Sequence, residues 1–207
     1  MMESRKEHWE KVYATKQRHE VSWTQELPKT SLDFVHSFNL QKSASIIDIG
    51  GGDSKLVDYL LDEGFENISV LDISANAIER ARQRLGHKAA KVNWIVSDVT
   101  EFHPSTTFDC WHDRATFHFL KSTDDINTYL TTARQAVQPG GGMVIGTFSD
   151  KGPKKCSMLD VHQYSEEELQ QQLENGFEKL KCVTEDHTTP FNTTQNFLFC
   201  SFKRNSD

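Results

Sequence analysis

The nine residues Ile46 to Ser54 read IIDIGGGDS: a β-branched run closed by an acid, then three consecutive glycines and a polar pair. Glycine lets a backbone turn sharply and lets a ligand approach where a side chain would stand in the way. A buried strand that empties into such a bend is how open parallel sheets make a nucleotide-sized crevice beyond their strand ends. The plain alternative is a glycine turn that holds no ligand.

Glycine spacing separates the candidate occupants. Dinucleotide folds place G-x-G-x-x-G after the first strand; counting from Gly50, the second glycine is Gly52, but Lys55 fills the third slot. Nor does GGGDSKL supply the G-x-x-x-x-G-K-[ST] of a phosphate-binding loop. Asp48, just ahead of the glycines, would repel a pyrophosphate in a partly dry crevice. It suits a cationic amine that carries no phosphate. S-adenosylmethionine, with an ammonium and a sulfonium on an adenosine, is such a ligand.

Two more acids extend the pattern. The run NISVLDIS reaches Asp72 and Ile73, and Asp72 lies 20 residues past Gly52. At about that distance nucleotide folds carry an acid that accepts from ribose hydroxyls. A third run, VNWIVSDV, ends at Asp98 and Val99. One acid at a strand end is an ordinary turn residue; three at successive strand ends form a set.

IIDIGGGDS resembles the first motif of the class I S-adenosylmethionine-dependent methyltransferases, hydrophobic-hydrophobic-D-h-G-x-G-x-G. Ser54 replaces the last glycine, and serine is a good helix cap. The resemblance implies S-adenosyl-L-methionine as cofactor and S-adenosyl-L-homocysteine as product. It implies Asp48, Gly50, Gly51, Gly52 and Ser54 beside the cofactor, Asp72 at its ribose and Asp98 at its adenine amino group. Their neighbours Ile73 and Val99 join the set, with His112 as a backbone contact at the end of the fourth strand.

At 207 residues the chain can bury one sizeable core and is short for two. Residues 1–207 are therefore expected to form one methyltransferase domain, with a helical lid over 1–40 and a Rossmann-like core over 41–207. A hydrophobic content of 36% and a mean hydropathy of −0.60 leave no stretch long enough for a membrane span. The N-terminal MMESRKEHWEK lacks the apolar centre of a signal peptide. A net charge of −7 argues against nucleic acid as substrate, since phosphates demand a basic face. Cys110, Cys156, Cys182 and Cys200 show no C-x-x-C or zinc spacing. Three of them fall in or next to apolar stretches and read as reduced core thiols, with the cytoplasm as compartment and no metal site.

From about residue 45, short apolar runs alternate with amphipathic helices, which is the pattern of βαβ units. One helix should carry Leu56, Val57, Leu60 and Leu61 inward and stop at Gly64. The next should be capped by Ser74, bury Ile78, Ala81 and Leu85, and stop at Gly86. A fourth strand, FDCWH, is followed by a helix capped by Thr123, carrying Ile126, Tyr129, Leu130, Ala133 and Val137 inward. Pro139-Gly140-Gly141-Gly142 leads into a fifth strand, MVIGTF. Ser165 and Glu168 form a capping-box pattern. Two last strands, around FEKLKCV and NFLFCSF, flank a loop containing HTTPF. The resemblance implies seven strands, mostly parallel, with an antiparallel last strand and helices on both faces. Right-handed crossovers then bring every βα loop to one edge of the sheet.

Methyl transfer is an in-line displacement in which the cofactor supplies electrophile and leaving group. The protein positions the nucleophile and excludes water, and a proton acceptor is needed where the nucleophile carries a proton. Asp113 and His118, in WHDRATFHFL, and His187, in the loop between the last strands, are the candidate catalytic groups. The structural alternative pairs Asp113 with a neighbour and packs His118 among Phe117 and Phe119. Trp9, Tyr13 and Trp23 are candidates for a lid whose aromatic faces meet the sulfonium, or else ordinary core anchors.

WEKVY, VSW and IIDIGGGDS together resemble the elongation-factor lysine methyltransferase subgroup and its bacterial relatives, up to Asp98. WHDRATFHFL departs from that subgroup, so the acceptor is expected to be a small molecule or a protein. Competing expectations are a non-catalytic module that binds the cofactor and a nicotinamide-dependent oxidoreductase, against which Asp48 and Lys55 count.

Overall fold

Each apolar run forms a strand, and the strands join in one sheet. The computed structural model describes residues 4–206. The sheet contains β1 (Ser45–Ile49), β2 (Asn67–Asp72), β3 (Val92–Val96), β4 (Phe108–Arg114) and β5 (Val137–Phe148). A two-stranded ribbon, β6 (Lys155–Cys156) and β7 (Leu159–Asp160), precedes the last two sheet strands, β8 (Phe177–Thr188) and β9 (Thr194–Arg204). The strand order is β3-β2-β1-β4-β5-β9-β8. Neighbours from β3 to β5 are parallel, and β9 runs antiparallel to both β5 and β8. The last strand is thus reversed, as the resemblance implied.

Alternation along the strands buries both faces. Ile47, Ile49, Trp111 and Ile145 pack with Tyr129 and Ala133 of α5 (Thr123–Ala136) and Leu169 and Leu173 of α6 (Glu166–Leu173). Ile46, Val70 and Cys110 face the other way. They meet Leu32 and Val35 of α2 (Lys29–Ser37), Leu56 and Leu60 of α3 (Leu56–Asp62) and Ile78 of α4 (Ala75–Leu85). Each fully buried leucine is worth about 1.5–3 kcal/mol. α1 (Arg5–Thr15) lies against α4.

Chain order fixes where a crevice forms. From β1 the chain builds outward to β2 and β3, then crosses back to β4 and β5 on β1's other side. Loops diverge at that switch, between the ends of β1 and β4, which is where open sheets take ligands. Asp48 and His112 are register partners there.

Several local expectations shift. α5 is capped by Ser122, not Thr123: the Ser122 hydroxyl accepts from the Asp125 amide at 3.0 Å. Of its expected inward residues, Tyr129, Ala133 and Val137 are buried, while Ile126 and Leu130 are partly so. Ser165 caps α6 through the Glu168 amide, but the Glu168 side chain turns to His162 at 2.7 Å. His187 lies in β8, opposite Gln195, and not in the connecting loop. Cys182 and Cys200 are also register partners and form a disulfide; only Cys110 and Cys156 are free thiols. Two isolated cysteines 18 residues apart reveal no pairing until strand register places them opposite one another.

Candidate functional site

A cavity opens at the C-terminal ends of β1 to β4, roofed by α1 and by the segment from Val21 to Pro28. Asp48, Gly50, Gly51, Ser54, Asp72, Ile73, Asp98, Val99 and His112 line its floor and walls, and Trp9, Tyr13 and Trp23 its roof. Gly52 stands just behind, next to Asp72.

The glycines leave space that the acids need. A Cβ on Gly51 would lie 2.5 Å from Asp48 Oδ2, and one on Gly52 would lie 2.5 Å from Asp72 Oδ2. Gly50 has φ of +63°, and a Cβ there would meet the Thr116 hydroxyl at 1.8 Å. Ser54 stands one residue ahead of Lys55, the N-cap of α3, and its hydroxyl accepts from the Leu56 amide at 3.1 Å.

Asp48 is 2% exposed. Its Oδ1 lies 2.7 Å from His112 Nδ1, and His112 Nε2 lies 2.9 Å from the Ser31 hydroxyl. A carboxylate only accepts, so the ring donates from Nδ1. Oδ2 is buried without a hydrogen-bond partner. That is a costly state for an acid, and a bound cation would relieve it. Asp72 accepts from the Ser74 amide at 2.8 Å, yet burial, with the charges of Asp48 and Glu10, pushes its pKa up to about 7. Asp98 accepts from the Thr100 amide and hydroxyl at 2.9 and 2.8 Å and faces Arg5 Nε at 3.7 Å.

The roof is an aromatic cluster. Trp9 lies edge-on to Trp23 and Phe119, with centroids 5.6 and 5.2 Å apart, and Tyr13 stands 6.3 Å from Trp23. Glu10 latches α1 to α4: its carboxylate accepts from the Ser74 hydroxyl and the Ala75 amide, both at 2.8 Å, and from the Asn76 amide at 3.1 Å. Burial opposes that charge, but these hydrogen bonds win and hold the Glu10 pKa below its usual value.

The three candidate catalytic groups do not line this cavity. Asp113 is fully buried and accepts from the Thr116 and Phe117 amides and, at 2.7 Å, from the Tyr129 hydroxyl. It points to the sheet face opposite His112, as period-two alternation requires. Burial raises its pKa to about 6 against those hydrogen bonds. His118 is fully buried; its Nδ1 accepts from the Phe148 amide at 3.2 Å, and burial drops its pKa to about 3. His187 donates from Nε2 to the Ser22 carbonyl at 2.7 Å, with its pKa lowered by burial and by Arg114. Asp113 bonds to neighbouring amides and His118 packs against Phe119, as the structural alternative for these two had them.

Arg114, Glu10 and Ser31 are site residues that the sequence patterns above do not single out. Arg114 lines the cavity, and the same alternation that turns Asp113 away would have pointed to it, two residues on from His112. Burial pulls its pKa to about 10, which leaves it charged at neutral pH. Glu10 and Ser31 carry no sequence signal, since each acts across 64 or more residues.

Seven strands in this order, a glycine turn at the switch point and acids at successive strand ends define the Rossmann-like methyltransferase fold. Residues 46–141 match the model of the family described as methyltransferase domain. Nodulation protein S of Rhizobium fredii is 31% identical over 85 residues, 41% of this chain and 48% of that protein. EEF1A lysine methyltransferase 2 of Danio rerio is 27% identical over 135 residues, covering 61% of this chain and 57% of that protein. The chain thus spans only about half the length of these curated relatives. Among solved structures, the N-methyltransferase NodS of Bradyrhizobium japonicum in complex with S-adenosyl-L-homocysteine superposes with a TM-score of 0.67. That likeness has 17% identity and covers 88% of this chain and 90% of that one. Among the described residues, no helix is long and apolar enough to cross a membrane.

Proposed function

We propose that the protein is an S-adenosyl-L-methionine-dependent methyltransferase acting on a small-molecule or protein nucleophile. One observation carries the reading: Asp48 Oδ2 is a buried acid oxygen without a partner, on the wall of a cavity that two further acids line. The residues fit the donor. Asp48 would take its ammonium, Asp72 the ribose hydroxyls and Asp98, with Val99 and Ile73, the adenine end. Bound there, the donor supplies both the methyl electrophile and the sulfonium leaving group.

The chain's own part is positional. Gly50, Gly51 and Gly52 let the donor approach the backbone, Ser54 starts the helix behind it, and His112 holds Asp48 in place. Trp9, Tyr13 and Trp23 form the lid, excluding water and offering ring faces to a sulfonium. Asp113, His118 and His187 shape the wall from behind, and no general base is assigned to them. The relatives support the cofactor, and one of them is named for a protein substrate. A cytoplasmic location belongs to the same proposal, and the Cys182–Cys200 bond is the feature that speaks against it.

Thermal shift with S-adenosylmethionine, S-adenosylhomocysteine and NAD tests the donor. Either adenosyl ligand at about 100 times its Kd should stabilise the fold by roughly 2.7 kcal/mol, and NAD should leave it unchanged. Stabilisation by NAD alone would sink the reading. Radiolabelled methyl donor offered to cell extract tests turnover, and label entering no fraction would leave a binding module.

A further inference from the structure

Asp53, between the glycines and Ser54, has no role in the donor reading, yet it lines the cavity beside Ser54. Both residues are held from α4 by one side chain, Arg84. Its Nε and Nη2 donate to the two carboxylate oxygens of Asp58 on α3, at 3.0 and 2.8 Å, as a forked pair. Nη2 donates also to the Ser54 carbonyl at 2.7 Å. Nη1 donates to the Asp53 carbonyl at 3.2 Å and to Asp53 Oδ1. Every N–H of the guanidinium is thereby used. The side chains of Arg84 and Asp53 are only 18% and 9% exposed, so this is more than a solvated surface pair.

The connection runs between parts of the donor site. Ser74, which caps α4, donates its amide to Asp72, and Arg84 sits in the last turn of the same helix. Helical side chains lean toward the N-terminus, which carries the guanidinium back to the glycine turn. On the cavity side, Asp53 Oδ2 faces Arg18 Nε at 3.7 Å. Asp98, Asp72 and Asp48 follow the ends of β3, β2 and β1, which are adjacent in that order. A donor with adenine at Asp98 and ribose at Asp72 therefore lays its amino-acid end over β1. The turn that Arg84 holds leaves β1 and borders that end.

We propose that Arg84 is a positioning residue for the donor: through Asp53 and Ser54 it fixes the glycine turn relative to the ribose acid. This rests on the donor reading above and deepens it. Arg84 lies outside the cavity lining and acts only through the turn. Adenine and ribose meet β3 and β2, whereas the amino-acid end depends on the turn's placement. Lysine cannot replace the fork, because one ammonium has no planar pair of N–H groups to bridge Asp58 while meeting both carbonyls.

Calorimetry on the full chain tests it by comparing S-adenosylhomocysteine with adenosine, which keeps adenine and ribose and lacks the amino-acid end. Arg84→Gln should weaken S-adenosylhomocysteine roughly tenfold or more and adenosine less than about threefold. Arg84→Lys should fall between wild type and Arg84→Gln in that ratio. A residue that only supports the fold would lower Tm without telling one end of the ligand from the other. Unchanged affinities, or an adenosine loss as large as that of S-adenosylhomocysteine, overturn the positioning role and leave the donor reading standing. Should Arg84→Gln fail to fold, Arg84→Lys is read by the same ratio, and a selective loss supports the role while an equal one overturns it. A wild type that takes S-adenosylhomocysteine but no adenosine overturns the placement of ribose and adenine on which the split depends. Failure of the wild type to bind S-adenosylhomocysteine overturns the donor reading, and this one with it.

Discussion

Asp48 Oδ1 lies 2.7 Å from His112 Nδ1, while the other oxygen of the same buried carboxylate has no hydrogen-bond partner. The imidazole in turn meets the Ser31 hydroxyl at 2.9 Å. One side of the acid is held rigidly, and the other is left for a cation. Replacing Asp48 by Asn keeps the size and removes the charge. A charge-assisted hydrogen bond contributes about 1.5–3 kcal/mol, so S-adenosylhomocysteine affinity should fall roughly 10- to 100-fold. Unchanged affinity by calorimetry would show that the ammonium binds elsewhere.

Asp72 should make both stability and binding depend on pH. Its folded pKa is raised to about 7, against about 3.9 for an unfolded aspartate. The folded state therefore holds this proton more tightly. The stabilisation is fully present below the unfolded value and is lost as pH climbs from about 4 through 7. Relative to Asp72→Asn, the wild type should lose stability across that window. Ribose hydroxyls favour the ionised carboxylate, so S-adenosylhomocysteine should release protons near pH 6.5 and bind more tightly as pH rises. Calorimetry in buffers of different ionisation enthalpy reads this directly, and identical proton counts in Asp72→Asn would rule Asp72 out as the source.

The Glu10 latch should govern lid closure. Its carboxylate takes two amides and a hydroxyl at the start of α4, a cap of the kind worth about 0.5–2 kcal/mol. Glu10→Ala should speed hydrogen exchange across residues 5–15 and raise the ligand off-rate, with exchange in β1 and β4 unchanged. Uniform acceleration throughout the chain would mean that Glu10 supports the whole fold and not the lid.

The Cys182–Cys200 bond closes a loop of 18 residues, for which chain entropy gives about 3 kcal/mol. Reduction should therefore lower Tm by roughly 6–12 °C. A Cys182→Ser, Cys200→Ser double variant should match the reduced wild type and show no response to reductant. A wild type equally stable with and without reductant would show that the two thiols are unlinked in solution.

Legibility followed the range of the interaction. The glycine turn, the three acids and the stops at Gly64 and Gly86 were readable because each depends on a few neighbouring residues. The sequence alone does not separate Asp113 from Arg114, because only the pairing of β1 with β4 shows which parity faces the crevice. Nothing near HTTPF shows how far β8 extends, so His187 reads as a loop residue in the sequence and lies within β8 in the fold.

By itself, the amino-acid order determined the alternation of strand and helix, the bend at Gly50–Gly52 and the presence of acids at successive strand ends. These follow from backbone freedom and hydrophobic period, which act within a turn or two of chain. Tertiary structure decided which oxygen of Asp48 stays unpaired, which residue latches the lid, and that the Arg114 guanidinium lies over Phe197. Those outcomes depend on strand register and on contacts spanning 64 and 81 residues or more, and such partners become neighbours only when the whole sheet has assembled.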